Sequence, residues 1–94
     1  MLAPKQVGLV ETFTALATGG ALAPTNRMEQ LRAVTINQTT AAQAITLPNP
    51  TDTSVVFGLD VHNIGAASFT MYGVTVTVGG KARYGWNGTG WAAD

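Results

Sequence analysis

The sequence contains no cysteine, which excludes disulfides and thiolate metal sites. It is also poor in charge. Asp, Glu, Lys and Arg make up 11% of the 94 residues, against roughly 25% in ordinary soluble domains. The basic residues Lys5, Arg27, Arg32, Lys81 and Arg83 are scattered and balanced by an equal number of acids, so no basic stripe exists to release counterions from nucleic acid. No apolar run approaches the roughly 18 residues of a membrane span. The start, Met1-Leu-Ala-Pro-Lys5, lacks the basic stretch and apolar core of a secretory signal, and the chain reads as a whole gene product. A single domain of this size buries only about 60–65% of the surface its unfolded chain exposes. With few charges to cover the remainder, much of that surface is expected to face other protein, oligomerisation standing in for the missing staples.

What the chain does have is β pattern. Val34 and Ile36 alternate with Thr35, Ala44-Ile-Thr-Leu47 is a short strand stopped by Pro48-Asn-Pro50, and Val55, Phe57, Leu59 and Val61 line one face of a longer strand. Asn37-Gln-Thr-Thr-Ala-Ala and Asn63-Ile-Gly-Ala-Ala are breaks. Phe69 and Met71 share one parity and Val74, Val76 and Val78 the other, so a bulge or tight turn is expected at Tyr72-Gly73. Gly79-Gly80 reads as a hairpin reversal leading into Lys81–Trp86, with Ala82, Tyr84 and Trp86 on one face and Lys81 and Arg83 on the other. Asn87-Gly88 is a second turn signal, from which Trp91 folds back.

Residues 1–30 differ. Val7, Leu9 and Val10 form at most a short strand anchored by Phe13 and Leu16, a helical reading of Glu11–Ala17 is weakened by its threonines, and Ala17–Asn26 is rich in Gly, Ala, Pro and Thr. One helical turn between Thr25 and Leu31, capped by Thr25 or Asn26, is a further reading. No repeat of solenoid length stands out. The expected architecture is all-β: a small antiparallel β-sandwich or jelly-roll-like domain over 31–94, preceded by an extended N-terminal arm over 1–30.

Chemistry is sparse. His62 is the only histidine, with Asp60 two residues earlier on the same strand face, but the sequence places no nucleophile with them, although Ser54 and Ser68 exist. One histidine and five acids make a poor zinc set, and no calcium-loop signature surrounds Asp52 or Asp60. Gly19-Gly20, Gly79-Gly80 and Gly88-Thr-Gly90 match no phosphate-binding pattern. Asn37-Gln-Thr39 and Asn87-Gly-Thr89 fit the glycosylation tripeptide, but without a secretory signal they read as coincidence. No catalytic, cofactor or metal residue is expected, and no small-molecule substrate. Tyr84, Trp86 and Trp91 suit packing more than a sugar platform.

Val34-Thr-Ile-Asn-Gln-Thr39, Ile45-Thr-Leu-Pro48, Val56-Phe-Gly-Leu-Asp-Val-His-Asn63-Ile-Gly65 and Val74-Thr-Val-Thr-Val-Gly-Gly80, followed by Tyr84-Gly-Trp-Asn-Gly-Thr-Gly-Trp91, together resemble a β-module of tailed-bacteriophage virion proteins. The resemblance covers residues 34–91 and is closest to small capsid decoration (cement) proteins, with tail-fibre segments as the other home of such modules. It implies a non-enzymatic sandwich unit, usually a homotrimer, bound to the major capsid protein on the outside of the virion and made in the bacterial host cytoplasm. The arm residues Leu2, Val7, Leu9, Val10 and Phe13 are the expected capsid contacts, and Val74, Val76, Val78, Tyr84, Trp86 and Trp91 the expected core or subunit interface. The alternative is a receptor- or glycan-binding module of a tail fibre or tail tip, using the aromatic cluster.

Overall fold

The structure is a computed structural model, and it describes residues 9–16 and 19–94. Nine strands appear among them: β1 Leu9–Leu16, β2 Gly20–Ala21, β3 Leu31–Gln38, β4 Gln43–Thr46, β5 Phe57–Asn63, β6 Phe69–Met71, β7 Val74–Val76, β8 Lys81–Trp86 and β9 Trp91–Ala93. The only helical element among the described residues is a 3₁₀ turn at Met28–Gln30. The first sheet has the order β1-β3-β5-β8-β9 and the second β2-β4-β6-β7.

The fold is all-β, as the alternation predicts, but the pairing is not that of an antiparallel sandwich. β1 runs parallel to β3 and β3 to β5 in the first sheet, and β2 runs parallel to β4 and β4 to β6 in the second. The chain therefore makes three successive coils, each leaving one strand in each sheet. Only then does it reverse: β7 lies antiparallel to β6, β8 to β5 and β9 to β8. The coils do have a sequence trace, contrary to the expectation of no repeat. Leu22-Ala-Pro-Thr-Asn26 closes the first and Leu47-Pro-Asn-Pro-Thr-Asp52 the second. Each corner puts a leucine inward, Leu22 and Leu47, both buried, and then breaks with Pro-Thr-Asn or Pro-Thr-Asp.

Between the sheets lies one hydrophobic cluster. The first sheet contributes Leu31, Val34, Ile36, Leu59, Val61 and Tyr84, and the second contributes Ile45, Phe69, Met71 and Val76. Period-two alternation explains most of this: Leu59, Val61 and Asn63 are buried along β5, and Tyr84 and Trp86 along β8. The described residues 9–16 and 19–30 do not lie outside this body as an extended arm. β1 is the edge strand of the first sheet, and Leu22, Met28 and Glu29 are buried. The partner that makes β1 a strand is β3, supplied by later sequence, so composition around Gly19-Gly20 does not reveal it. The 3₁₀ turn starts after Arg27 with no side-chain cap, so neither Thr25 nor Asn26 caps it.

Two turns come out differently from each other. Tyr72 (φ 50°) and Gly73 (φ 80°) both occupy the left-handed region, as a type I′ turn requires, and they close the β6–β7 hairpin at the expected parity change. Gly79-Gly80 does not close a hairpin. It carries the chain from β7 in the second sheet to β8 in the first, with Gly79 at φ 77° and the Gly80 N–H donating to the Thr77 carbonyl at 2.8 Å. The valine alternation consequently ends early: Val76 is buried, Val74 half-buried, and Val78 lies past the strand and is 56% exposed.

This corner is fastened by Asn63, which is fully buried. Its N–H donates to the Gly80 carbonyl and its carbonyl accepts from the Gly79 N–H, both at 2.9 Å. Its side-chain Nδ2 donates to the carbonyls of Ala67 (2.8 Å) and Val76 (3.1 Å), and its Oδ1 accepts from the Gly65 N–H at 2.9 Å. Gly65 in turn lies so close to the Gln38 main chain that a Cβ has no room. Leaving these buried partners unpaired costs about 1–3 kcal/mol per group. Asn63→Ala is therefore predicted to lower unfolding free energy by about 3–4 kcal/mol, read by urea titration, and Asn63→Asp to do no better because a carboxylate then faces two carbonyls.

Candidate interaction surface

The aromatic residues of the C-terminal segment are built into the interior. Tyr84 is fully buried, and its hydroxyl donates to the Met71 carbonyl at 2.9 Å, tying β8 to β6 across the core. Trp86 is 2% exposed and its Nε1 donates to the Thr53 carbonyl at 3.0 Å, while the half-buried Trp91 donates from Nε1 to the Pro48 carbonyl at 3.1 Å. Trp91 packs edge-on against Phe57 (5.4 Å between centroids) and Trp86 (5.6 Å), the geometry favoured by ring quadrupoles. The fold-back from Asn87-Gly88 thus occurs as the turn signal predicts, with Trp86 opposite Trp91. The rings are spent on packing and their N–H and O–H groups on backbone carbonyls, so they form no open platform for a sugar.

The outer face of the first sheet is polar. Cross-strand register sets Thr12, Thr35, His62 and Lys81 in one row and Ala33, Asp60 and Arg83 in the next. Asp60 accepts from Arg83 Nη1 at 2.8 Å rather than from His62, and Arg83 Nε also reaches Asp94 at 3.3 Å. Ser54 donates from Oγ to Asp52 Oδ1 at 2.6 Å. The His62–Asp60 pair weighed from sequence is therefore not brought together as a base and its orienting acid. No group of three or more metal-ligating side chains converges among the described residues. No helix among them is long and apolar enough to cross a membrane.

The second sheet differs in kind. Residues 33–51 and 61–80, which supply β4, β6 and β7, contain no Asp, Glu, Lys or Arg, and neither does β2. The side chains pointing away from the core are small and uncharged: Ala21, Ala44, Thr46 and Thr75 are exposed and Thr70 is half-exposed. Continuing along the same uncharged stretches, Ile64 (48%) and Val78 (56%) are exposed. This segregation of charge went unremarked in the sequence, where the long uncharged runs were its signal.

The expected contact residues distribute as follows. Leu2 and Val7 lie outside the described residues. Leu9 and Val10 are 37% and 44% exposed on the edge strand β1, whereas Phe13 is half-buried and packs against the core. Two glutamates not singled out from sequence hold the coil corners. Glu11 on β1 accepts from the N–H groups of Thr25 and Asn26 (3.0 and 2.9 Å) and from their side chains. The fully buried Glu29 accepts from the N–H groups of Thr51 and Asp52 (3.0 and 2.8 Å). The Pro-Thr-Asn and Pro-Thr-Asp corners thus share one device, a carboxylate capping two successive N–H groups.

Compared with family models, curated proteins and solved structures, the chain matches none.

Two predictions follow from this geometry. Trp91→Ala is expected to cost about 2 kcal/mol, below the full-burial range because the ring is half-exposed, with β9 amides losing hydrogen-exchange protection first. Burial alone would raise the Glu11 pKa, but the hydrogen bonds from Asn26 and Thr25 outweigh it and hold the group below its ordinary value. The stability it adds is present above the ordinary carboxylate value and lost as pH falls through its lowered folded-state value. Glu11→Gln is therefore expected to destabilise the protein at neutral pH, with the gap to the parent closing on acidification in thermal melts.

Proposed function

We propose that this chain is a non-enzymatic structural protein of a bacteriophage virion, a decoration (cement) protein that binds the outer capsid surface as a homotrimer and stabilises the head. The observation that carries the reading is the charge-free second sheet. Interface centres are depleted in charged residues, and a small domain with so much uncharged surface gains most by covering it. An all-β fold of two sheets is compatible with a β-module of the kind the sequence resembles, although its strands pair differently from those of an antiparallel sandwich. The glycan-binding alternative draws no support from Tyr84 and Trp86, which are buried, and of the three rings only Trp91 is half-exposed.

In this reading the major capsid protein is met by the edge strand, through Leu9 and Val10, and neighbouring copies by the uncharged sheet. An exposed edge strand offers unpaired N–H and C=O groups as well as side chains, which suits clamping across capsid subunits.

Truncating the first twenty residues would remove the whole of β1 together with the contact residues, so surface substitutions are the cleaner test. Thr46→Arg with Thr75→Arg is expected to abolish the trimer in analytical ultracentrifugation while leaving the melting temperature of the isolated chain nearly unchanged. Leu9→Glu with Val10→Glu is expected to abolish binding to capsids while sparing the trimer. A parent chain that stays monomeric at high concentration and leaves no density on purified virions in electron microscopy overturns the proposal.

A further inference from the structure

The sequence contains one Asn-Gly pair, Asn87-Gly88, and it sits in the turn that closes β8 against β9. Asn87 is exposed, and its N–H donates to the Gly90 carbonyl at 3.2 Å. Its side-chain Oδ1 accepts three hydrogen bonds: from the Thr89 N–H at 2.9 Å, the Thr89 Oγ1 at 2.9 Å and the Gly90 N–H at 3.0 Å. Gly88 stands at φ 100°, and the space where its Cβ would be is open.

We propose that Asn87 is a site of self-catalysed modification, at which the turn converts its own asparagine into isoaspartate and aspartate. The Gly88 amide nitrogen attacks Asn87 Cγ, forming the N–Cγ bond and placing negative charge on Oδ1. The tetrahedral centre collapses with cleavage of the Cγ–Nδ2 bond. The amide proton of Gly88 leaves with that nitrogen through water, and ammonia departs from a five-membered succinimide. Water then opens the ring at either carbonyl, giving isoaspartate or aspartate. One water enters, one ammonia leaves, and no oxidant or cofactor is needed.

Two features of the turn favour the step. Glycine after the asparagine puts no side chain in the way of the attacking nitrogen. The three donors on Oδ1 already stand at the distances of an oxyanion hole, 2.7–3.1 Å, and so are in place where charge develops.

The product changes the structure around it. A new carboxylate appears at the turn, and isoaspartate adds one carbon to the main chain between Trp86 and Trp91, which now face each other across the β8–β9 ladder. Trp91 is held by the Pro48 carbonyl, Phe57 and Trp86, all of which depend on that register. Conversion is irreversible, so the turn acts as a clock that loosens the sheet edge with age.

The test compares the folded protein with a free peptide spanning Tyr84–Trp91, both incubated at neutral pH, with peptide mapping that separates isoaspartate from asparagine at residue 87. The folded chain is expected to convert several-fold faster than the peptide. Thr89→Val, which removes one donor and keeps the backbone N–H, is expected to slow conversion several-fold, and Thr89→Ser to restore it. Circular dichroism confirms that the variants keep the fold. Conversion in the folded protein no faster than in the peptide, or equal rates in the parent and Thr89→Val, overturns the proposal.

Discussion

Asn63 is the residue on which the two sheets depend. It forms five hydrogen bonds, two from its main chain and three from its side chain, to Gly65, Ala67, Val76, Gly79 and Gly80. Those partners lie on the arc that leaves the first sheet for the second and on the corner that returns from it. A domain held by so few charges and no disulfide has few ways to fix the relative position of its sheets. Apolar contact is non-directional and tolerates sliding, whereas a buried amide with both its protons donated and its oxygen paired favours one arrangement. The tight seat of Gly65 on Gln38 follows from the same knot, because the Asn63 Oδ1 draws the Gly65 N–H toward the strand end.

Coil upon coil, the parallel stacking raises a second constraint. Each coil must leave one sheet, cross, and return in register with the one before, which places its turning points under load. The corners answer with carboxylates: Glu11 and Glu29 each gather two adjacent N–H groups that a Pro-Thr-Asn or Pro-Thr-Asp break would otherwise leave unpaired. Burial of Glu29 is offset by the two backbone N–H groups, of Thr51 and Asp52, that its carboxylate accepts from. Acidic residues, scarce in this chain, are thus used where the backbone turns.

Much of the strand content was legible from the residues. Alternation located β3, β5 and β8 and assigned their inner faces, because side-chain period is a local property. The neighbours of those strands were not legible. Gly79-Gly80 carries the same signal whether it closes a hairpin or changes sheets, since glycine only permits the dihedral angles and does not choose where the chain goes. β1 looked like an arm because its partner lies a full coil away. Glu11 and Glu29 escaped notice for a related reason: they bind backbone N–H groups, which every non-proline residue has, so no partner type marks them. Trp91 was legible, since the Asn-Gly turn and the two tryptophans fix both its fold-back and its neighbour.

The distribution of charge joins these threads. On the outer face of the first sheet Arg83 pairs with Asp60 and Asp94, and at the coil corners Glu11 and Glu29 pair with the main chain. The second sheet receives none. Such an asymmetry does nothing for the core, which lies between the sheets and is equally apolar from both sides. Nor does β-propensity demand it, because threonine and charged residues are both accommodated on solvated strand faces. Under the proposed function, that uncharged face is where the protein meets its neighbours. A cysteine-free chain of this size, with the surface-to-volume ratio of a small globule, has the most to gain from covering that face with protein.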